Sequence, residues 1–124
     1  MALTVLYEDN HIIVVVKPFN VLSQGDITGD SSIMDSVKDY IKKKYHKPGN
    51  VYLGLVHRLD RPVGGIMVFA RSSKAASRLT KAFQEHSITK KYLAIVHGKL
   101  EGSGEFVDRI EKGKDGNSII SKNG

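Results

Sequence analysis

Leu55-Val56-His57-Arg58-Leu59-Asp60-Arg61-Pro62-Val63-Gly64-Gly65-Ile66-Met67-Val68-Phe69-Ala70 is the stretch that decides how this chain folds. An apolar run leads in and another leads out. Between them stands one carboxylate, with an arginine two residues before it and another directly after it. Pro62 has no N–H and fixes its own φ, and Gly64-Gly65 admits backbone angles that other residues avoid, so the middle predicts a tight, non-helical connection between two strands. Asp60 then lies where two strands end. An aspartate there, beside arginine, is commonly a solvated ion pair or a turn residue bonded to its own backbone. The double arginine flank offers a second reading. Cations within a few ångströms keep a carboxylate ionised, as a nucleophile or general base requires, and the same guanidiniums could hold phosphates.

Outward from this loop, Val51 to Val56 and Ile66 to Ala70 read as the flanking strands. Upstream, Val5 to Tyr7 and Ile12 to Val16 are β-branched runs separated by Glu8-Asp9-Asn10-His11, which predicts a hairpin with Ile12 to Val16 buried on both faces. Lys17-Pro18 ends it, and Val21 to Asp30, rich in Gly, Asp, Ser and Thr, reads as an exposed loop. A helix follows, capped by Ser31 or Ser32, with Ile33, Met34, Val37, Tyr40 and Ile41 at 3.6-residue spacing and Lys42 to Lys44 at its end, before Pro48-Gly49-Asn50 turns the chain.

Downstream of the loop, Ser72 or Ser73 caps a second helix with Ala75, Ala76, Leu79 and Phe83 on its buried stripe. Lys74, Arg78 and Lys81 line another face, either a solvated surface or a set of phosphate contacts led by Arg78. Lys91 to Val96 reads as a strand closed by His97-Gly98. Glu105 to Ile110 and Ser118 to Ser121 read as two more, joined through Gly113 to Asn117. This order of elements predicts an α+β domain: a mixed, mainly antiparallel sheet with two flanking helices.

The chain has 124 residues, room for one domain, and its lack of cysteine removes disulfides, thiolate zinc sites and thiol nucleophiles. No apolar run is long enough to span a bilayer, and nothing resembles a signal peptide, so the expected location is the cytoplasm. The net charge of +6 is uneven: residues 41 to 100 hold thirteen Lys and Arg against two acids. A basic concentration around the Asp60 loop points to a polyanionic partner such as RNA.

His57-Arg58-Leu59-Asp60-Arg61, followed by a glycine-containing turn and an apolar strand ending in Ala70-Arg71, resembles the signature of the RluA-type pseudouridine synthases. Lys17-Pro18 with Val21 behind it, and Lys90-Lys91-Tyr92-Leu93-Ala94-Ile95-Val96-His97-Gly98, match the same family in the same order. Val63-Gly64 departs from it where many members carry Thr-Ser. The resemblance implies isomerisation of chosen uridines in ribosomal or transfer RNA, with Asp60 as the catalytic carboxylate and no metal or other cofactor. It further implies RNA contact by Arg58, in support of the flipped-out state, and stacking of Tyr92 on the target base; Arg61 joins the RNA contacts as the second guanidinium beside Asp60 able to hold phosphate. Lys17-Pro18 lies near the active cleft in this family, as structural support.

The family's catalytic domain is longer than this chain, and its Gly-Arg-x-His-Gln-Ile-Arg type stretch has no counterpart here. The expectation is therefore an N-terminal portion of one catalytic domain, inactive alone and prone to self-association through an unpaired sheet edge. Two alternatives compete: a non-catalytic basic RNA-binding module, and a nucleoside or glycoside hydrolase using Asp60. The second wants another carboxylate across the bond, and no acid lies in the other matched motifs.

Overall fold

Thr4–Glu8 (β1) and Ile12–Lys17 (β2) form the expected antiparallel hairpin. Asp9 shapes its turn by accepting the N–H groups of His11 and Ile12 at 2.7 and 2.8 Å, the local bond that makes Asp a turn former. In this computed structural model, residues 2–95, 97–98, 110–112 and 118–120 are described, and the chain divides into two units, 1–90 and 91–124.

In the first unit, Gly65–Ala70 (β4) pairs antiparallel with β2 along its length, and Gly54–Leu55 (β3) pairs with the far end of β4, giving the order β1-β2-β4-β3. Burial along β2 alternates. Ile13, Val15 and Lys17 are buried and Ile12, Val14 and Val16 half-buried, so the expectation of burial on both faces is corrected to full burial on one. The strand predicted over Val51 to Val56 shrinks to two residues, because β3 is a sheet edge with a ladder on one side only.

Ile33–Lys44 (α1) begins at a capping box: Ser32 Oγ accepts the Asp35 N–H at 3.1 Å, and the Asp35 carboxylate accepts the Ser32 N–H at 3.3 Å. Its buried stripe, Ile33, Val37 and Ile41, packs with Ile13, Val15, Met67 and Phe69. Side chains of this size contribute roughly 1.5–3 kcal/mol each on burial. At the helix end, Lys44, Tyr40 and Tyr45 all donate to the Glu8 carboxylate. Burial pushes that carboxyl up, but the hydrogen bonds outweigh it and hold Glu8 below the ordinary range. Ser73–Gln84 (α2) is capped by Ser72 and lies against β3 and β4, with Ala75 buried and Ala76, Leu79 and Phe83 half-buried. A side chain at Gly54 would meet Ala76 and Ala70 at 3.1 and 3.2 Å, so helix and sheet approach closely there. The four-stranded antiparallel sheet and its two helices are the α+β arrangement read from the sequence.

In the second unit, Ile110–Lys112 (β5) and Ser118–Ile120 (β6) pair antiparallel, Ile110 opposite Ile120; β6 falls within the strand expected over Ser118 to Ser121, whereas β5 overlaps the one expected over Glu105 to Ile110 only at Ile110 and runs two residues past it. The remainder of those predicted strands, and their joining loop, lie outside the described residues. The strand predicted over Lys91 to Val96 is corrected: residues 91–95 form no ladder among the described residues, and Leu93 and Ile95 stand exposed, while Val96 is outside the description. An apolar run becomes a strand only where a neighbour accepts its backbone bonds. No described helix is long and apolar enough to cross a membrane.

Candidate active site

The chain between β3 and β4 carries Asp60 at an exposed turn, closed by the Val63 N–H donating to the Asp60 carbonyl at 2.9 Å. Among the described residues neither carboxylate oxygen of Asp60 takes part in an ion pair or hydrogen bond. Its backbone neighbours are held firmly. Leu59 is buried in the core, and its N–H and carbonyl are both bonded to Ser23 Oγ, at 3.0 and 2.5 Å. On the other side the Arg61 carbonyl accepts from Lys17 Nζ at 3.2 Å.

Lys17 is wholly buried at the end of β2, opposite Gly65 where the loop rejoins the sheet. Its ammonium also donates to the carbonyls of Val21 at 2.6 Å and Pro18 at 3.2 Å. Asn20, left-handed at φ 62°, reverses the chain so that Val21 returns to it; asparagine tolerates that conformation better than most residues. Burial lowers the Lys17 pKa, and the negative charge of Asp60 partly opposes the shift.

The arginines behave differently from each other. Arg61 places Nη2 2.8 Å from the Asp30 carboxylate, so the expectation that it flanks and holds Asp60 is corrected: the carboxylate beside its guanidinium belongs to the Val21–Asp30 loop. Arg58 is exposed, with no carboxylate partner among the described residues. His57 is structural. Its Nε2 accepts the Val68 N–H at 3.1 Å, and its ring stacks on Phe83 of α2 with centroids 4.8 Å apart, tying loop, β4 and helix together. Burial, then the charge of Lys90, pushes its pKa down, which suits a neutral acceptor ring.

Asp60, Arg58 and Arg61 thus share one loop. Arg78 stands exposed on α2, which meets that loop through His57, and Tyr92 is exposed in the second unit. At the departure from the family pattern, a side chain on Gly64 would come within 3.1 Å of the Phe19 ring and 3.2 Å of the Lys17 carbonyl, so the Phe19 ring takes up the room that a serine there would need. Clefts of about 530 Å³ beside α1 and about 760 Å³ along α2 are not lined by Asp60, whose carboxylate faces open solvent.

Sequence reading missed Ser23. It fell inside a polar segment taken as exposed, yet it is buried, and the Leu22 and Ser23 carbonyls accept the Ile33 and Met34 N–H groups at 2.7 and 3.2 Å. The available signal was the apolar Val21-Leu22 pair just before it, at the head of an otherwise polar run.

Residues 11–123 match the family model described as RNA pseudouridylate synthase. The chain belongs to the RNA pseudouridylate synthase family. Its relatives are of the RluA type to which the motifs pointed. They include tRNA pseudouridine synthase C of Haemophilus ducreyi, 34% identical over 86% of this chain and 42% of that one. The ribosomal large subunit pseudouridine synthase D of Vibrio parahaemolyticus is 35% identical over 83% of this chain and 31% of that one. Among solved structures, human RNA pseudouridylate synthase domain containing 4 matches 68% of this chain and 30% of its own, with a TM-score of 0.57 and 25% identity. This pseudouridylate synthase chain therefore spans less than half the length of these relatives.

Proposed function

We propose that the protein isomerises selected uridines to pseudouridine in ribosomal or transfer RNA, with Asp60 as the reacting carboxylate, and that residues 1–124 are the N-terminal portion of a single catalytic domain. One observation carries the reading: an exposed aspartate, free of ion pairs among the described residues, sits on a backbone bonded on both sides to buried groups. A solvated turn aspartate needs no such mounting. A structural one would spend its carboxylate on a partner.

The reaction breaks the bond between ribose C1′ and uracil N1, turns the detached base and joins its C5 to C1′, after which C5 loses its proton and N1 carries one, so that product and substrate are isomers. An ionised carboxylate serves every available route, whether it adds to the sugar, adds to the base or takes the sugar proton that starts elimination. The target base must first leave its stack, and Arg58, planar and without a carboxylate partner among the described residues, is the group for the vacancy. Tyr92 stacks on the target base, as in the family. Arg78 contacts phosphate from α2, and Arg61 does so when it leaves Asp30. The relatives' names divide between tRNA and ribosomal RNA, so both classes are substrates to test.

The test is to incubate the full-length protein, of which residues 1–124 are proposed as the N-terminal portion, with ribosomal and transfer RNA and map pseudouridine. New pseudouridine at defined positions supports the proposal. Unchanged RNA, bound with affinity, would instead favour the non-catalytic RNA-binding module, and release of free uracil would favour hydrolysis.

A further inference from the structure

We infer that Ser23 is a positioning residue for Asp60, which deepens the reading above and rests on it. Ser23 Oγ gives its one proton to the Leu59 carbonyl at 2.5 Å and accepts the Leu59 N–H at 3.0 Å, with Met67 Sδ packed 3.7 Å away. A single buried hydroxyl thus occupies both backbone groups of the residue before Asp60. The Leu59 carbonyl and the Asp60 N and Cα belong to one planar peptide unit, so fixing the carbonyl fixes the N–Cα axis from which the Asp60 side chain leaves, while the Val63 N–H bond to the Asp60 carbonyl closes the turn and restrains rotation about that axis.

Ser23 is itself held by something rigid. Its own carbonyl accepts the Met34 N–H and the neighbouring Leu22 carbonyl accepts the Ile33 N–H, two donors that the start of α1 leaves without intrahelical partners. Ile33 is fully buried in the core beside Met67. Core packing therefore sets α1, α1 sets Ser23, and Ser23 sets the plane from which Asp60 projects. Leu59 lies in no strand and among the described residues has no other backbone partner, so without the hydroxyl this peptide loses its orientation.

The experiment compares Ser23→Ala, Ser23→Cys and Ser23→Thr in the full-length protein assayed for uridine conversion, at a temperature where circular dichroism shows every variant folded. Ala removes the hydroxyl, Cys keeps the volume with a poor hydrogen-bonding group, and Thr keeps the hydroxyl. The single-turnover rate per folded molecule should fall roughly 10- to 100-fold in Ala and Cys, with KM for RNA unchanged and the rate largely restored in Thr, as a small misplacement of a reacting group produces. A variant too unstable to reach that state is scored by rate per folded fraction. Conversion by the wild type with Ala and Cys at its rate overturns this inference alone. A wild type that converts no uridine overturns the proposed function, and this inference with it.

Discussion

The ammonium of Lys17 lies 3.2 Å from the carbonyl of Arg61, forty-four residues further along the chain, and holds the C-terminal side of the Asp60 turn to the end of β2. Three carbonyls share this one buried donor. Replacing Lys17 by Met leaves them unpaired but also removes a buried charge. Hydrogen bonds to charged groups are worth roughly 1.5–3 kcal/mol each, so after that relief a net destabilisation of about 3 kcal/mol is expected. Denaturant unfolding of Lys17→Met checks it; wild-type stability would contradict it.

Arg61 and Asp30 are an exposed pair. Asp30→Asn should cost less than about 1 kcal/mol in unfolding free energy. It also frees the guanidinium. RNA affinity measured by fluorescence anisotropy at low salt should therefore rise, and an unchanged affinity would remove Arg61 from the RNA contacts.

His57 ties stability to pH. Its folded-state pKa is pushed below the ordinary 6.5, so the unfolded chain binds the proton first as pH falls. The contribution is complete above 6.5 and is lost as pH falls from there through the folded value. Glu8 and Asp9, both held low, act with the same sign but only below their own ordinary values of 4.5 and 3.8. The thermal midpoint should drop between about pH 7 and pH 5 in the wild type and flatten over that window in His57→Gln, which keeps an acceptor for Val68 but does not titrate. Equal slopes would contradict this.

Arg78 stands without a carboxylate partner among the described residues on the exposed face of α2. Arg78→Ala should weaken binding about equally for different RNA sequences and lower the slope of log affinity against log salt by about 1. Salt titrations of both proteins decide it, and an unaltered slope would leave this face merely solvated.

The hairpin and the two helices, whose caps Ser32 and Ser72 are each one of the two adjacent serines the sequence offered, were legible in the sequence because each element rests on a local signal, a turn residue or a 3.6-residue period. The same is true of the Asp60 turn, announced by Pro62 and Gly64-Gly65. Of the mounting of that turn, the support by Lys17 came only through the family resemblance, and that by Ser23 was not legible. Lys17 and Ser23 act across forty-four and thirty-six residues, and a polar residue bonded at such range looks in sequence like any other polar residue. For the same reason the partner of Arg61 was misread: adjacency made Asp60 the obvious candidate, whereas the fold brought Asp30. The strand drawn over Val51 to Val56 kept only Gly54–Leu55, and the one over Lys91 to Val96 has no ladder among the described residues, because pairing depends on neighbours that composition does not report.

Asp60→Asn tests the role of this carboxylate most directly, since it preserves shape and removes only the charge. Single-turnover conversion of uridine to pseudouridine by the full-length wild-type protein, abolished in its Asp60→Asn variant while RNA binding persists, is the predicted result. Conversion by the variant at the wild-type rate would show that the chemistry resides in another group.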